Sequence, residues 1–294
     1  MGKASRRKRT ADARPSRAAQ VPFARRPFEG LPGETEWVAL GEVLPAATAT
    51  VELSGDQLPE GAPTTVTIST VLPLAWPALR RDDGEVLVAT QAGSHSGDAS
   101  RDLAGRILAA VALEPGAPLT TAPPVTADTP RLQDLLAPAS APRAQVHDGF
   151  DYWIGDQEAE GAAKESLERA NESVVPTVRI DVDRSAFWCR IGERTYVRVL
   201  LAEDEDAATT ALARLQAAGE TSLGGETKLL GAFRTSGLLV PVWELDPQAE
   251  PGSYVEALTA VLARYDAALS VDEPLTADER RARSGLLSRQ ITLR

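Results

Sequence analysis

The chain has 294 residues, of which 43% are hydrophobic, and it carries a net charge of −11. This length and composition exclude a wholly disordered protein and allow a sizeable core in one large or two small domains. The longest apolar run is far too short to cross a membrane, no apolar signal-peptide segment follows the start, and the single cysteine cannot form an internal disulfide. We therefore expect a cytoplasmic protein without a transmembrane segment.

The charge is distributed very unevenly along the chain. Residues 1–27 contain nine Lys or Arg and one acid, Asp12, for a net charge of +8, which leaves −19 for residues 28–294. Few large apolar residues occur here, so we predict a disordered basic arm over residues 1–30. Such an arm suits nucleic acid or the ribosome, because basic residues that meet phosphates release counterions, and anionic lipid is equally open as its partner. Alternatively, it improves solubility or binds the protein's own acidic face. The candidate polyanion contacts are Lys3, Arg6, Arg7, Lys8 and Arg9.

Residues 31–171 have the hydrophobic periodicity of an N-terminal α+β half. A Pro-, Ala- and Thr-rich insertion, residues 114–144, is typical of a linker or surface excursion, with one helical turn at Leu132–Leu136. Asp83-Gly84 favours a turn between two strands. The predicted elements are a short helix or turn from Glu34, strands Thr48–Leu53, Thr64–Leu72 and Glu85–Thr90, and helices Arg101–Leu113 and Glu158–Asn171.

Residues 172–272 are predicted as a C-terminal α+β half that begins with a ββα unit. Gly192 suits a tight turn between two strands rich in β-branched and aromatic residues. The acidic run Glu203–Asp206 complements the positive end of a helix, and Gly219 suits the end of that helix. The predicted elements are strands Val178–Asp183, Phe187–Ile191, Thr195–Leu201, Lys228–Arg234 and Leu239–Leu245, and helices Ala207–Gln216 and Ser253–Leu269.

The order of these elements predicts the fold class. Both halves follow a ββαβα-like order, over about residues 64–171 and 178–269, which suggests an internal repeat. We predict an α+β protein with two similar halves of antiparallel strands and helices packed on one face, preceded by the disordered arm. An Arg-rich C-terminal helix, residues 273–294, begins at the capping-box pattern Thr276–Glu279.

Asp181 and Asp183 are the only candidates for catalysis. The segment Asp181–Ser185 has the outline of a phosphatase loop in which one aspartate attacks phosphate and the second acts as acid and base. The phosphate-binding residues that this chemistry needs are not arranged around it, and the segment continues into a hairpin instead of a helix. It also lacks the glycine and the glutamate of a calcium-binding loop. We interpret both residues as solvent-facing aspartates on an edge strand.

No cofactor, metal site or nucleotide-binding motif is predicted. His95 and His147, with one cysteine, are too few for the usual zinc sites, and His95 lies in a Gly/Ser loop that we interpret as solvated. Cys189 is interpreted as a buried structural thiol, since no histidine adjoins it in sequence. The five tryptophans are predicted to be core or sheet-face anchors, although several on one face would indicate a partner surface.

Four short segments resemble a known family: Met1–Arg9, Val21-Pro-Phe-Ala24, Pro27–Pro32 and Trp37-Val-Ala-Leu40. They are similar to an uncharacterised actinobacterial family that carries a domain of unknown function, and the resemblance spans most of the chain. Members have been labelled translocase ATPase-like, but this sequence has neither a Walker motif nor a cysteine-rich zinc tail. The resemblance therefore implies a bacterial cytoplasmic setting, no activity and no catalytic residues.

Two functions are consistent with these features. The first is an interaction or adaptor protein, whose acidic body binds a protein partner and whose basic arm contacts nucleic acid or the ribosome. The second is a small-molecule or phosphoester enzyme that uses Asp181 and Asp183. We expect the first, because nothing in the sequence amounts to a catalytic signature.

Overall fold

The computed structural model describes residues 21–54, 57–93, 95–154 and 161–288. Within these ranges the chain forms helices and two sheets in which antiparallel pairs predominate, so the α+β prediction is confirmed. No helix in the same ranges has the length and apolar composition needed to cross a membrane. The helices are α1 (Glu34–Glu42), α2 (Ala99–Val111), α3 (Gly161–Glu172), α4 (Glu205–Ala218), α5 (Val255–Leu269) and α6 (Ala277–Ser288).

The first sheet differs from the expected antiparallel arrangement. Its order is β5-β3-β4-β2-β1-β6, and β2 pairs with β4 in parallel. A strand that was not predicted, β3, lies between them in sequence, and the turn at Gly84 joins β3 to β4. The intervening segment 73–77, with proline at both ends, redirects the chain. The strands are β1 (Ala47–Glu52), β2 (Thr65–Ser69), β3 (Ala78–Arg80), β4 (Val86–Ala89), β5 (Pro118–Leu119) and β6 (Gln145–Val146).

The second sheet contains the predicted ββα unit. All its strand pairs are antiparallel, in the order β10-β11-β9-β8-β7. Asp204 caps α4 by accepting hydrogen bonds from the next turn, and Gly219 ends α4 at a φ of 72°. The first strand is shorter than predicted and ends before Asp181. The strands are β7 (Thr177–Arg179), β8 (Ala186–Ile191), β9 (Arg194–Val199), β10 (Lys228–Thr235) and β11 (Leu238–Leu245).

The two sheets share a hydrophobic core. One cluster of buried residues combines Trp37 and Leu40 of α1 with Phe187 and Val240 of the second sheet. A separate cluster fills the opposite face of the second sheet, where α4, α5 and α6 pack. The second sheet is therefore covered by helices on one face and by the first half on part of the other. Strand order and direction differ between the two sheets, so the internal repeat is not confirmed and stays a prediction.

Glu36 forms a polar link between the halves. Its side chain belongs to α1, and Glu36 is only 8% exposed. One carboxylate oxygen accepts a hydrogen bond from the Arg179 guanidinium at 3.0 Å, and the carboxylate also accepts bonds from the Ser185 hydroxyl and the Ala144 amide. These donors lie on β7, the β7–β8 loop and the segment before β6, so one carboxylate holds three parts of the chain together.

Part of the predicted arm is packed on the body. We name residues 21–31 the strap, because they run from the first half to the second. Ala24 donates a backbone hydrogen bond to Gly97 at 2.9 Å, and Arg26 bonds Glu34 and the Ala202 carbonyl. Arg25 forms an ion pair with Glu205. The prediction of an arm over residues 1–30 therefore extends too far, and its five candidate polyanion contacts lie outside the described residues.

Two other predicted segments are now defined. The insertion at residues 114–144 is anchored, since Leu132 and Leu135 of its single helical turn are fully buried in the first core cluster. The capping box at the C-terminal helix is present. The Thr276 amide donates to Glu279 at 2.6 Å, and the Glu279 amide donates back to the Thr276 hydroxyl at 3.3 Å.

Candidate functional site

The structure does not bring the two candidate aspartates into one cleft. The side chain of Asp181 is 94% exposed in the loop after β7 and lies 4.0 Å from Arg143. Asp183 is exposed at a cleft of about 340 Å³ that Asp181 does not line. The nearest cation in that cleft, Arg184, is already bonded to Glu203 and Asp266. A nucleophile and its acid–base partner must face one substrate position, and this arrangement does not provide that.

His95 lies at a second cleft, near the carboxyl end of β4. Its side chain is exposed, and its Nδ1 atom is 3.9 Å from Asp102, beyond hydrogen-bond distance. Arg106, on the wall of this cleft, is only 2% exposed and donates to the carbonyl oxygens of Ala89 and Thr90, each at 3.0 Å. The polar groups of this cleft thus mainly form hydrogen bonds with the backbone at the strand end. Within the described ranges, no three His, Cys, Asp or Glu side chains cluster as metal ligands.

An apolar area of the second sheet has no helix packed on it. Its buried centre is Cys189, Tyr196 and Val242, on three neighbouring strands. All members of this cluster come from strands or from the segment just before β7, and no helix of the described chain contributes one. We name this area the Arg198 face, after the arginine at its centre. Its partly buried rim consists of Val175, Ile191, Leu230 and Phe233.

Arg198 projects from β9 on this face, and its side chain has no counterion among the described residues. It stands opposite Phe187 on β8 and Val242 on β11, and it is mostly buried. Its Nε atom is buried without a hydrogen-bond partner, and no hydrogen bond or ion pair to Arg198 occurs in the described part of the chain. Burial lowers the pKa of Arg198, since its charge is desolvated. Only the Nε atom of Arg198 is fully buried, so the terminal nitrogens of this desolvated guanidinium are open to a partner from outside the described chain.

The neighbouring titratable groups do not neutralise Arg198. Glu244 lies on the same face, one pleat from Val242, but its carboxylate is 3.5 Å from Arg194. Burial raises the pKa of the Cys189 thiol, so this group stays protonated near neutral pH. Cys189 is free and buried, in agreement with the interpretation of a structural thiol. The positive charge of Arg198 is therefore available to a group from outside the described chain.

A match to a protein family accompanies this geometry. Residues 27–294 match the model of a family of unknown function, DUF5926. The chain belongs to this family. The predicted resemblance to a domain of unknown function is confirmed over those residues, whereas the basic segment Met1–Arg9 precedes the match. No curated protein and no solved structure matched the chain.

Replacing Arg198 by methionine is expected to stabilise the DUF5926 protein by about 1 kcal/mol, because the apolar side chain removes an unpaired, partly desolvated charge and keeps its packing. The free energy of unfolding would be measured by urea denaturation. Arg190→Met is the matched control. Arg190 lies on the next strand, is exposed and stacks over Trp188 on the opposite face, so we expect a change within about 0.5 kcal/mol. A destabilised Arg198→Met protein would show that Arg198 has a structural partner.

Proposed function

We propose that this DUF5926 protein is a cytoplasmic interaction protein, an adaptor or accessory factor that binds a protein partner through the Arg198 face. The observation that carries this proposal is an apolar sheet face without a helix layer, centred on an unpaired arginine. Sheets in globular proteins bury their apolar faces against another layer. A partner that supplies the missing layer would bury the rim residues Leu230 and Phe233 and provide a counterion for Arg198.

The alternative, an enzyme that uses Asp181 and Asp183, has weaker support. It requires both carboxylates at one substrate, whereas Asp181 is 94% exposed outside the cleft that Asp183 lines. The Arg198 face does not supply a nucleophile either, because Cys189 is fully buried and burial raises the pKa of its thiol. Binding therefore accounts for more of the described features than catalysis does.

A photo-crosslinking amino acid placed at Leu230 tests the docking surface in the native cell. We expect a discrete crosslinked product with a second protein, because Leu230 lies on the partly exposed rim of the Arg198 face. The same amino acid at Ala260, an exposed position on α5 across the second sheet, is the control and should give no such product. No discrete product at Leu230, or the same product at both positions, would refute docking at this face.

We propose further that the basic arm contacts a polyanion such as ribosomal RNA. Seven of its nine basic residues precede the strap, where Arg25 and Arg26 are already paired with Glu205 and Glu34. Deleting residues 1–20, which leaves the strap intact, should weaken binding to RNA and reduce the slope of log K against log salt concentration by about 0.7–0.9 for each lost phosphate contact. The measurement is RNA, DNA and anionic-vesicle binding across a salt series. An unchanged affinity and slope would contradict the proposal.

A further inference from the structure

We infer that the partner segment docked on the Arg198 face is an amphipathic helix with a carboxylate among its apolar residues, and that this carboxylate pairs with Arg198. The inference rests on the proposed function, because it specifies what the docked segment must contain. Three features of the described chain support it: the charge at the centre of the face, the width of the face and the net charge of the body.

The Arg198 guanidinium at the centre of the face could pair with an anion that approaches perpendicular to the sheet. Arg198 is flanked within the sheet by Phe187 and Val242, so neither neighbouring strand offers an acceptor beside it. Two acids near this face are paired with other arginines: Glu244 lies 3.5 Å from Arg194, and Glu36 accepts a hydrogen bond from Arg179, which is opposite Phe187. A carboxylate matches the planar guanidinium with two parallel hydrogen bonds, which makes it the best counterion that a protein segment can present.

The width of the face suits a helix. The rim reaches from Val175, just before β7, to Leu230 on β10, which is a span of five strands or about 19 Å. An α-helix with its side chains is about 10–12 Å across, so one helix would cover the centre of this area around Arg198 and leave its two edges to flanking residues. The opposite face of the same sheet is likewise covered by helices, α4, α5 and α6. A small carboxylate alone would leave most of the rim uncovered.

The charges of the molecule favour a protein partner over a nucleic acid. Residues 28–294 carry a net charge of −19, and among the described residues this face offers one unpaired cation, Arg198, with apolar side chains around it. A phosphate backbone would meet repulsion from the body and too few cations. The chain's own N-terminal segment is also a poor occupant. Residues 1–20 contain seven basic residues and one acid, and their charge would repel Arg198.

Selection of displayed helical peptides against the full-length protein tests the inference. The library has a fixed helical scaffold and one randomised face, and selected peptides are tested for crosslinking to the photo-crosslinker at Leu230. We expect the crosslinking peptides to share an Asp or Glu within the apolar face. Changing that acid to its amide should weaken binding at least tenfold to the wild-type protein and less than twofold to Arg198→Met. This variant is expected to fold, and Arg190→Met should bind as the wild type does.

Each of the other outcomes contradicts either the carboxylate inference or the proposed function. Peptides that crosslink at Leu230 but lack a shared acid, or that bind Arg198→Met unchanged, would refute the carboxylate inference and leave docking at this face standing. Absence of any peptide that crosslinks at Leu230 would instead count against the proposed function. If decanoate displaced the selected peptides from the wild-type protein and not from Arg198→Met, the occupant of the face would be a lipid carboxylate. If the wild-type protein were a dimer and Arg198→Met a monomer, the occupant would be a second copy of the chain. Either result would contradict docking of a partner helix.

Discussion

Replacing Glu36 by alanine is expected to lower the free energy of unfolding by about 3–5 kcal/mol. The carboxylate is buried and accepts hydrogen bonds from Arg179, Ser185 and Ala144, which belong to three separate segments. Its removal leaves the Arg179 guanidinium without its counterion inside the protein. Urea denaturation measures the loss, and both sheets should unfold at the lower midpoint because they share one core cluster.

A matched substitution and a double variant make this result interpretable. Glu29→Ala removes a carboxylate that is 69% exposed, and we expect a change within about 0.5 kcal/mol. Adding Arg179→Met to Glu36→Ala should recover part of the lost stability, since the charge left unpaired is then gone. If Glu36→Ala were as stable as Glu29→Ala, Glu36 would not be a link between the halves.

The second large effect is expected from Arg106. Arg106→Met should destabilise the protein by at least about 3 kcal/mol, because three backbone carbonyl oxygens that accept from the guanidinium lose their buried donor. These carbonyls belong to Ala89, Thr90 and Ala92, just past or at the end of β4. The same substitution at Arg198 has the opposite expected sign. The Arg198 side chain has no hydrogen-bond acceptor within the described part of the chain, so the pair of variants separates the effect of burying an arginine from the effect of its hydrogen bonds.

Unfolding measured for both variants in one series provides the test. Arg106→Lys is the conservative control for charge, and it should recover only part of the loss because an ammonium group cannot reach all three carbonyls in the same planar geometry. Equal effects of Arg106→Met and Arg198→Met would show that the hydrogen bonds to the carbonyls do not determine the stability of this strand end.

Local patterns predicted much of the second sheet. Alternation around Gly192 and the helix signals from Glu203 to Gly219 determine β8, β9 and α4, and the structure agrees with them to within about two residues. These signals act over a few residues, so they can be read without knowing the rest of the fold. The Thr276–Glu279 capping box is of the same kind.

The first sheet could not be predicted to the same extent. The strand β3 is three residues long, and its pairing depends on β4 and β5, which lie on either side of it in the sheet. The parallel pairing of β2 with β4 likewise joins strands that are separated by another strand in sequence, and no turn residue specifies it. The strap was missed because its attachment relies on acceptors more than 60 residues away, such as Gly97 and Ala202.

The candidate site was visible only in part from the sequence. Alternation along Thr195–Leu201 placed Tyr196, Arg198 and Leu200 on one face of a strand. It could not show that the helices would pack on only the other face of the sheet, or that Glu244 would pair with Arg194. An unpaired buried arginine is a property of the whole fold, whereas a residue pattern reports one strand at a time.

The strap also has a consequence for the order in which the protein is made. Residues 21–31 leave the ribosome early, yet Arg25 and Arg26 bind Glu205 and the Ala202 carbonyl, 180 and 176 residues further along the chain. Ala24 and Arg26 can bind Gly97 and Glu34 once the first half has been made, but the contacts with Ala202 and Glu205 must wait until β9 and α4 have been synthesised. The strap can therefore close across both halves only after the second half has been made, through Glu205 and the Ala202 carbonyl.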